Sequence, residues 1–354
     1  MEMYAYQNEQ ARPAQPQRVK FHATGGEYFR IWIVNLLLTI VTLGIYSAWA
    51  KVRRNQYFYA NTELAGASFE YHGNPRAILK GRIVAALMAG AYGLAGHYSP
   101  KGGVVVALVL AGLSPWLILR SLQFRLYNTS YRGIRFIFAG QTRDAYTVYL
   151  WRPIMNGFTL MLATPFVYQR MKAWQHGESR FGTARFSFDA TVGSFYNLYA
   201  AFMLVLVGCT GLLGVLIFSG PVAASVAANT AMAGQAKMGF MLLGVYALLF
   251  ALYPFFTSFL QKLVWNHTRL EQHQFSSDMR LGRLAFITLT NYLAIICTLG
   301  LFLPFAKVRA MRYQLESMSL QPQGSLDDFV AASGAPVGAF GEGMADVLDF
   351  DFSL

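Results

Sequence analysis

The chain has 354 residues, of which 55% are hydrophobic and 13% charged, and its mean hydropathy is +0.35. A soluble domain carries about twice this fraction of charged residues, so the composition excludes an ordinary water-soluble protein. The net charge of +12 does not indicate nucleic-acid binding, because Lys and Arg cluster beside apolar segments, as in 51–54 and 307–312. Such clusters anchor proteins at membrane surfaces. We therefore expect the partners to be the lipid bilayer and its anionic lipid head groups, with no nucleic acid and no identifiable protein partner.

The apolar stretches predict about seven hydrophobic segments, since a helix needs about 20 residues to cross a hydrocarbon core of about 30 Å. In chain order these segments are 31–50, 83–96, 104–119, 146–168, 198–218, 238–260 and 284–306. The second and third are short, and the turn-forming residues 97–103 between them predict a tight antiparallel hairpin. A buried pair of soluble-type helices is the alternative for these two. The predicted fold class is an all-α polytopic membrane protein, with the segments in internal repeats and small β-like pieces in the basic linkers.

The two ends of the chain differ in composition from the apolar part. Residues 1–20 are polar and rich in Gln and Pro, without the apolar stretch of a cleavable signal, so we predict a disordered tail. Residues 21–320 are predicted to form a repeat-built transmembrane domain. Residues 321–354 carry six acidic and no basic side chains, and we predict that this acidic tail docks on the basic linkers.

The chain contains an internal repeat. Residues 35–57 reappear 256 positions later as 291–313, with Asn, Thr-Leu-Gly, Ala-Lys-Val-Arg and Tyr at matching positions. In weaker copies an aromatic residue ends an apolar segment, at Trp49, Trp116, Phe166, Phe255 and Phe305. Twenty residues later a second aromatic follows the first four of these, at Phe69, Phe136, Phe186 and Phe275. The short alternating runs at these second aromatics predict β-hairpins or extended pieces.

Two membrane topologies are compatible with this pattern. If every segment crosses, two three-segment repeats are inverted relative to each other, as in secondary transporters. The basic linkers 50–82, 117–147, 166–195 and 256–283, with 6, 5, 4 and 4 Lys or Arg, would then lie on both sides of the membrane. The positive-inside rule favours placing them together in the cytoplasm. That arrangement requires the single segments to re-enter, with breaks near 42–44, 153–157 and 298–300.

A longer motif connects the chain with a known family. Its residues are Thr42, Leu43, Gly44, Trp49, Lys51, Arg53, Tyr57, Asn61, Thr62 and Gly81. With these residues the chain resembles the YjgN family of bacterial inner-membrane proteins, over nearly its whole length and including the acidic stretch 341–351. The resemblance implies a multi-pass protein of the bacterial cytoplasmic (inner) membrane with no assigned function, in which the motif is structural. One departure is Ala48, where the family pattern has Pro before Trp49.

No motif in the sequence indicates an enzyme, a cofactor or a metal site. Cys209 and Cys297 both lie in apolar segments, which argues against a disulfide framework or a cysteine metal site. His267, Glu271 and His273 would surround a metal ion only if their segment were helical, and a solvated basic helix end is the simpler interpretation. We therefore expect no catalytic residues, no cofactor and no metal.

Polar residues inside the apolar segments are the candidates for substrate binding, because such residues are costly at membrane depth. They are Asn35, Arg152, Asn156 and Asn291. The alternatives are snorkelling of Arg152 to the interface and interhelical hydrogen bonding by the three Asn residues. The favoured function is transport or permeation of a small solute, ion or lipid. The alternative is a non-transporting membrane scaffold or envelope regulator that binds lipid or a protein partner; convergence of the four residues on one hydrated cavity would favour transport.

Overall fold

The computed structural model describes residues 15–219, 230–324 and 326–333. Across these ranges the strands are β1 (Gln17–Arg18), β2 (Lys20–Phe21), β3 (Thr62–Leu64), β4 (Ala67–Tyr71), β5 (Thr129–Tyr131), β6 (Ile134–Phe138), β7 (Ser179–Phe181), β8 (Ala184–Phe188), β9 (Thr268–Leu270), β10 (His273–Ser277) and β11 (Met318–Gln321). The helices are α1 (Gly25–Val41), α2 (Ser47–Ala60), α3 (Pro75–Tyr98), α4 (Pro100–Tyr127), α5 (Thr142–Tyr146), α6 (Arg152–Phe158), α7 (Thr164–Gly177), α8 (Val192–Ser219), α9 (Thr230–Asn266), α10 (Leu281–Cys297), α11 (Leu303–Glu316) and α12 (Leu326–Ser333), with a π-helical turn (Thr147–Trp151) between α5 and α6. Most of the two predicted tails, 1–14 and 334–354, lies outside the described residues.

The eleven strands in the described ranges form one antiparallel sheet that closes on itself. Its strand order is β1-β11-β10-β9-β8-β7-β6-β5-β4-β3-β2. Strands β1 and β2 are two halves of one extended segment, 17–21. Arg18 in the first half pairs with Ser319 of β11, whereas Lys20 in the second half pairs with Glu63 of β3. The two ends of the strand order are therefore continuous in the chain, and the sheet forms a ring.

The long helices begin and end at this ring. The pairs α1–α2, α3–α4, α8–α9 and α10–α11, and the broken group α5–α7, each connect two strands that are neighbours in the ring. The tight turns inside the β-hairpins consequently lie on the opposite edge of the ring, away from these helices. All four basic linkers of the sequence meet at the same end of the helical part.

The predicted fold class is wrong in two respects. The ring of strands forms a core of its own, so the protein is not all-α. Within the described residues four helices, and not seven, are long and apolar enough to cross a membrane: Pro75–Tyr98, Pro100–Tyr127, Val192–Ile217 and Met238–Asn266. The other three predicted segments, 31–50, 146–168 and 284–306, are each interrupted near the middle. Their helical parts are therefore shorter than the spanning length of about 20 residues.

A turn that begins with Thr-Leu causes each of these interruptions. The Leu has a positive φ of 49–50° in all three turns, at Leu43, Leu160 and Leu299. The Thr before it caps the returning helix, because its Oγ1 accepts a hydrogen bond from the backbone N–H four residues later. The donor–acceptor distances are 2.9 Å at Thr42, 3.2 Å at Thr159 and 3.0 Å at Thr298. The Thr-Leu-Gly motif at 42–44 and 298–300 is thus a helix-reversing turn, with Gly at a second position of positive φ.

Candidate functional site

The interior of the ring is apolar and aromatic. Successive side chains of a strand point to opposite faces, so each strand directs one set of side chains into the ring. The Phe rings at 69, 136, 186 and 275 form a row across neighbouring hairpins, with centroids 6.4, 6.4 and 6.1 Å apart. Buried beside this row are residues of the shorter strands, Leu64, Tyr131, Phe181, Leu270 and Leu320. These four Phe residues, each of which follows a segment-ending aromatic residue by 20 positions, therefore line the lumen of the ring.

The ring is too wide for these side chains to fill. With 17–21 counted as one strand, ten strands surround the lumen, whereas an interior that side chains alone can fill has about eight. A cavity of about 230 Å³ remains. Helix α12 covers this cavity and packs Leu326, Phe329 and Val330 against the lumen residues. We call α12 the cap helix.

Polar contacts hold the cap helix on the edge of the ring that faces away from the membrane helices. Arg132 donates hydrogen bonds to Asp327 and, at 2.7 Å, to the carbonyl oxygen of Ala65. The N–H of Thr183 donates to the carbonyl oxygen of Ser333 at 3.2 Å. The position before Thr183 is a Gly with a φ of 56°, and a Cβ there would overlap the Ser333 carbonyl oxygen. Only Gly permits this close approach.

His273 lies directly beneath the cap helix and is fully buried. Its Nδ1 accepts a hydrogen bond from the N–H of Gln323 at 3.0 Å, and its ring centroid is 4.4 Å from that of Phe329. Its Nε2 has no hydrogen-bond partner within the described residues. Burial lowers the pKa of His273 below its ordinary value. The neutral imidazole is therefore the form that fits under the cap.

The three residues considered as possible metal ligands, His267, Glu271 and His273, contact different partners. They lie in and around the β9–β10 hairpin and not on one helix face. The Nδ1 of His267 contacts the carbonyl oxygen of Leu263 at 2.8 Å, and Glu271 accepts a hydrogen bond from the N–H of Arg185 at 2.8 Å. In the described ranges no group of three or more His, Cys, Asp or Glu side chains is arranged to hold a metal ion.

Two of the four polar residues predicted to bind substrate line different cavities, and the other two line neither of these. Asn35 lines a cavity of about 270 Å³ between α1, α2 and α3. Arg152 lines a separate cavity of about 210 Å³ against α7. Asn156 donates a hydrogen bond to Thr164 Oγ1 at 3.0 Å inside its own helical group, and Asn291 is likewise bonded within the α10–α11 pair.

Asn35 and Asn291 occupy matching positions, each seven residues before the Thr of a turn, but their surroundings differ. The amide of Asn291 is satisfied, because its Nδ2 donates to the Ala306 carbonyl oxygen at 3.1 Å and its Oδ1 accepts from Arg309 at 3.3 Å. Asn35 is only 7% exposed, and its Oδ1 has no donor within the described part of the chain. A buried acceptor without a donor is unfavourable, which makes Asn35 an exception among the three Asn residues.

The cavity at Asn35 is basic, a property that the sequence reasoning missed. Lys51 and Arg54 of α2 and Arg82 of α3 line it, and none of the lining residues found in the described chain is acidic. Arg82 also donates a hydrogen bond to Ser47 Oγ. The spacing of Ser47, Lys51 and Arg54 places all three on one face of a helix, which is the signal that would have grouped them.

Comparison with known proteins agrees with a membrane location. The chain is 34% identical over 141 residues to the Inner membrane protein YjgN of Escherichia coli O157:H7, and 32% identical over 136 residues to the protein of the same name from Salmonella typhimurium. Each match covers 38% of this chain and 34% of the relative, so the chain matches about a third of the length of these curated relatives. No solved structure is significantly similar to the chain. With its four apolar helices, the chain is a multi-pass protein of the bacterial inner membrane.

The family described as "Bacterial protein of unknown function (DUF898)" matches residues 16–347, nearly the whole chain. The chain belongs to this YjgN-like family.

Proposed function

We propose that this protein is a non-transporting membrane scaffold that gathers anionic lipid at the cytoplasmic surface of the inner membrane. The observation that supports this proposal is the placement of the basic linkers. Because the helical pairs begin and end at the ring, the Lys and Arg clusters of all four linkers surround one end of the helical part. The positive-inside rule then assigns the ring to the cytoplasm, where such clusters attract anionic head groups.

The proposal includes the internal repeat and a membrane topology. Five units each consist of a helical pair or group and a β-hairpin, and the fifth hairpin is completed by the segment 17–21. The pairs α3–α4 and α8–α9 cross the membrane and return, whereas the three interrupted segments enter and leave on the ring side. Irregular backbone at membrane depth requires internal hydrogen bonds, and the Thr-capped turns supply them.

Transport of a small solute, ion or lipid stays a prediction of the sequence. A path for a polar substrate needs polar groups that line one continuous cavity. The four candidate residues lie in separate surroundings, and the lumen of the ring is apolar and covered by the cap helix. These features favour the scaffold over the transporter.

Reconstitution into vesicles tests the proposal. In mixtures of phosphatidylglycerol and phosphatidylcholine, brominated phosphatidylglycerol should quench the Trp fluorescence of the protein more strongly than brominated phosphatidylcholine. The preference should weaken as salt screens the charges. Protein-containing vesicles should retain ion gradients and trapped small solutes as long as protein-free vesicles do. Equal quenching by both lipids, or a solute flux that Arg152→Gln abolishes, would overturn the proposal.

A further inference from the structure

We infer that the ring binds one acyl chain that carries an anionic head group, with the head group in a second cavity at the membrane-facing edge of the ring and the chain in the apolar lumen. We call this second cavity the head-group cavity. It has a volume of about 300 Å³ and lies between α4, α7 and the end of α9. Three aromatic side chains, Phe136, Phe186 and Trp265, line both this cavity and the lumen, so the two adjoin. The inference goes beyond the proposed function, because it assigns a ligand site inside the ring.

The head-group cavity carries positive charge. Arg125 of α4 and Lys172 and His176 of α7 line it, and no Asp or Glu belongs to the lining that the structure describes. Lys172 contacts neutral groups, the Oε1 of Gln175 at 3.4 Å and the ring of Tyr168 at 5.6 Å. No ion pair found among the described residues includes Arg125 or Lys172. Burial and the nearby charge of Arg125 both lower the pKa of Lys172.

An anion would relieve this accumulation of charge. Lys172 and His176 are partly buried, so water screens the repulsion among the basic groups less than at an open surface. A carboxylate or phosphate accepts charge-assisted hydrogen bonds from Lys and Arg, and these are stronger than hydrogen bonds between neutral groups. The head-group cavity therefore favours an anionic group.

The ends of two membrane-spanning helices place the head-group cavity at the depth of lipid head groups. Arg125 lies in the last turn of Pro100–Tyr127, and Trp265 lies in the last turn of Met238–Asn266. Arg and Trp are residue types that anchor the end of a spanning helix at the boundary of the hydrocarbon layer. A lipid can therefore reach the cavity directly from the bilayer.

The lumen beside the head-group cavity is suited to an acyl chain. Its lining is apolar and aromatic, and the cap helix covers its end away from the membrane with Leu326, Phe329 and Val330. An apolar cavity of about 150 Å³ holds a molecule of benzene. The lumen, with about 230 Å³, therefore has room for a segment of one chain. Empty space of this size deprives the surrounding side chains of contacts, which a bound chain would restore.

Three probes separate the contribution of the head group from that of the chain. Binding of radiolabelled dodecanoate to the purified full-length protein can be measured by equilibrium dialysis in digitonin, a detergent without an acyl chain, with digitonin alone as the background. Dodecanol has the same chain without a charge and should compete at least about tenfold more weakly than unlabelled dodecanoate. Butyrate has the carboxylate without the long chain. It should compete at least about a hundredfold more weakly, because each buried methylene strengthens binding about fourfold.

A fourth probe identifies the source of the chain. Lauroyl lysophosphatidylglycerol has an acyl chain of the same length on a phosphate head group. Stronger competition by this lipid than by dodecanoate would identify a phospholipid as the source, and weaker competition would identify a free fatty acid. Either result supports the site, because both ligands are an acyl chain with an anionic head group.

Variants at the two ends of the ligand test its placement. Lys172→Gln should weaken dodecanoate binding about fivefold. The matched control is Arg170→Gln, which removes an exposed charge of the same helix outside both cavities and should change binding less than about twofold. Val330→Phe should fill part of the lumen and reduce the preference for dodecanoate over octanoate. Ala331→Phe adds the same side chain at an exposed position of the cap helix and should retain this preference.

Any one of four results would overturn the inference. If dodecanol competes as well as dodecanoate, the basic residues do not select the ligand, and if butyrate does so, the ligand is a small anion. If Lys172→Gln and Arg170→Gln weaken binding equally, the attraction is a surface effect. If Val330→Phe retains the preference for the longer chain, the chain lies outside the lumen. All four results would leave the proposed scaffold intact, because gathering phosphatidylglycerol at the membrane surface does not require a site inside the ring.

Discussion

Arg132, in the turn between β5 and β6, donates a hydrogen bond to Asp327 of the cap helix. The Asp327 side chain is 85% exposed, and an ion pair at such a position contributes little to stability. The docking of the cap helix therefore depends mainly on the apolar contacts of Phe329 and its neighbours, and on the close approach of Ser333 to Gly182.

A substitution at Gly182 tests this close approach. Gly182→Ala should displace the cap helix, because the new Cβ would overlap the carbonyl oxygen of Ser333. Amide hydrogen exchange in 326–333 should then become at least about tenfold faster. The matched control is Gly133→Ala, which also lies in a hairpin turn with a positive φ, of 78°, but has open space around it. Equal exchange rates in the two variants would contradict the role of Gly182.

The second prediction concerns pH. Burial lowers the pKa of His273, whereas a released His273 would protonate near its ordinary value of about 6.5. Its contribution to cap docking is therefore complete above about pH 6.5 and decreases as the pH falls from there through the lowered pKa. Hydrogen exchange of 326–333 should be faster, relative to its intrinsic rate, at about pH 5.5 than at about pH 7.5.

His273→Gln is the control for this pH effect. The Gln side chain retains an acceptor for the N–H of Gln323 but does not titrate, so the pH dependence of exchange should disappear. Asp327 of the cap helix also contacts the ring, through its hydrogen bond with Arg132. A pH effect that persists in His273→Gln would assign the dependence to another group.

The third prediction concerns the turn at Thr42-Leu43-Gly44. Gly44 has a φ of 93°, and no atom lies within 4 Å of the position where a Cβ would stand. Gly44→Ala should therefore act through the backbone alone and destabilise the protein by about 1–2 kcal/mol. Gly157→Ala also faces open space but lies within helix α6, where Ala is favoured over Gly by about 0.5–1 kcal/mol. Thermal melting in detergent should thus show shifts of opposite sign, and equal shifts would contradict the explanation.

Local sequence patterns predicted part of this fold. The alternating runs at Phe69, Phe136 and Phe186 predicted short β pieces, and β4, β6 and β8 lie at those positions. Their assembly into a ring was beyond local patterns, because 17–21 pairs with β3 on one side and with β11, about 300 residues later, on the other. Strands of two to five residues give too little alternation to indicate such partners.

The predicted number of membrane segments was wrong for a related reason. The apolar runs at 31–50 and 284–306 have the length of a spanning helix. Composition alone does not show whether the chain continues across the membrane or reverses within such a run. The reversal depends on Leu43 and Leu299 taking a positive φ, a conformation that a Leu side chain does not signal. The basic cavity was missed because Arg82 is 28 residues from Arg54, and their proximity depends on how α2 packs against α3. Asn35 was named as a candidate, but the lack of a partner for its Oδ1 is visible only in three dimensions.

The last prediction decides the topology. Ser68, Ser187 and Arg269 lie at exposed positions of β4, β8 and β9 in one ring, whereas Lys101 lies at the start of α4, at the far end of the α3–α4 pair. Single cysteines at these positions should be introduced in a chain that carries Cys209→Ala and Cys297→Ala. A membrane-impermeant thiol reagent applied to intact cells should label only the cysteine at 101. After permeabilisation it should label all four.

The alternative topology gives a different pattern of labels. If every apolar segment crossed the membrane, the linker with position 68 would lie on one side, and those with positions 187 and 269 on the other. The first cysteine would then differ from the other two in intact cells. That split would be incompatible with one ring formed by all the linkers, because neighbouring strands of a sheet cannot lie on opposite sides of a bilayer. It would also remove the common basic surface on which the proposed lipid scaffold depends, and it would favour the inverted repeats of a transporter.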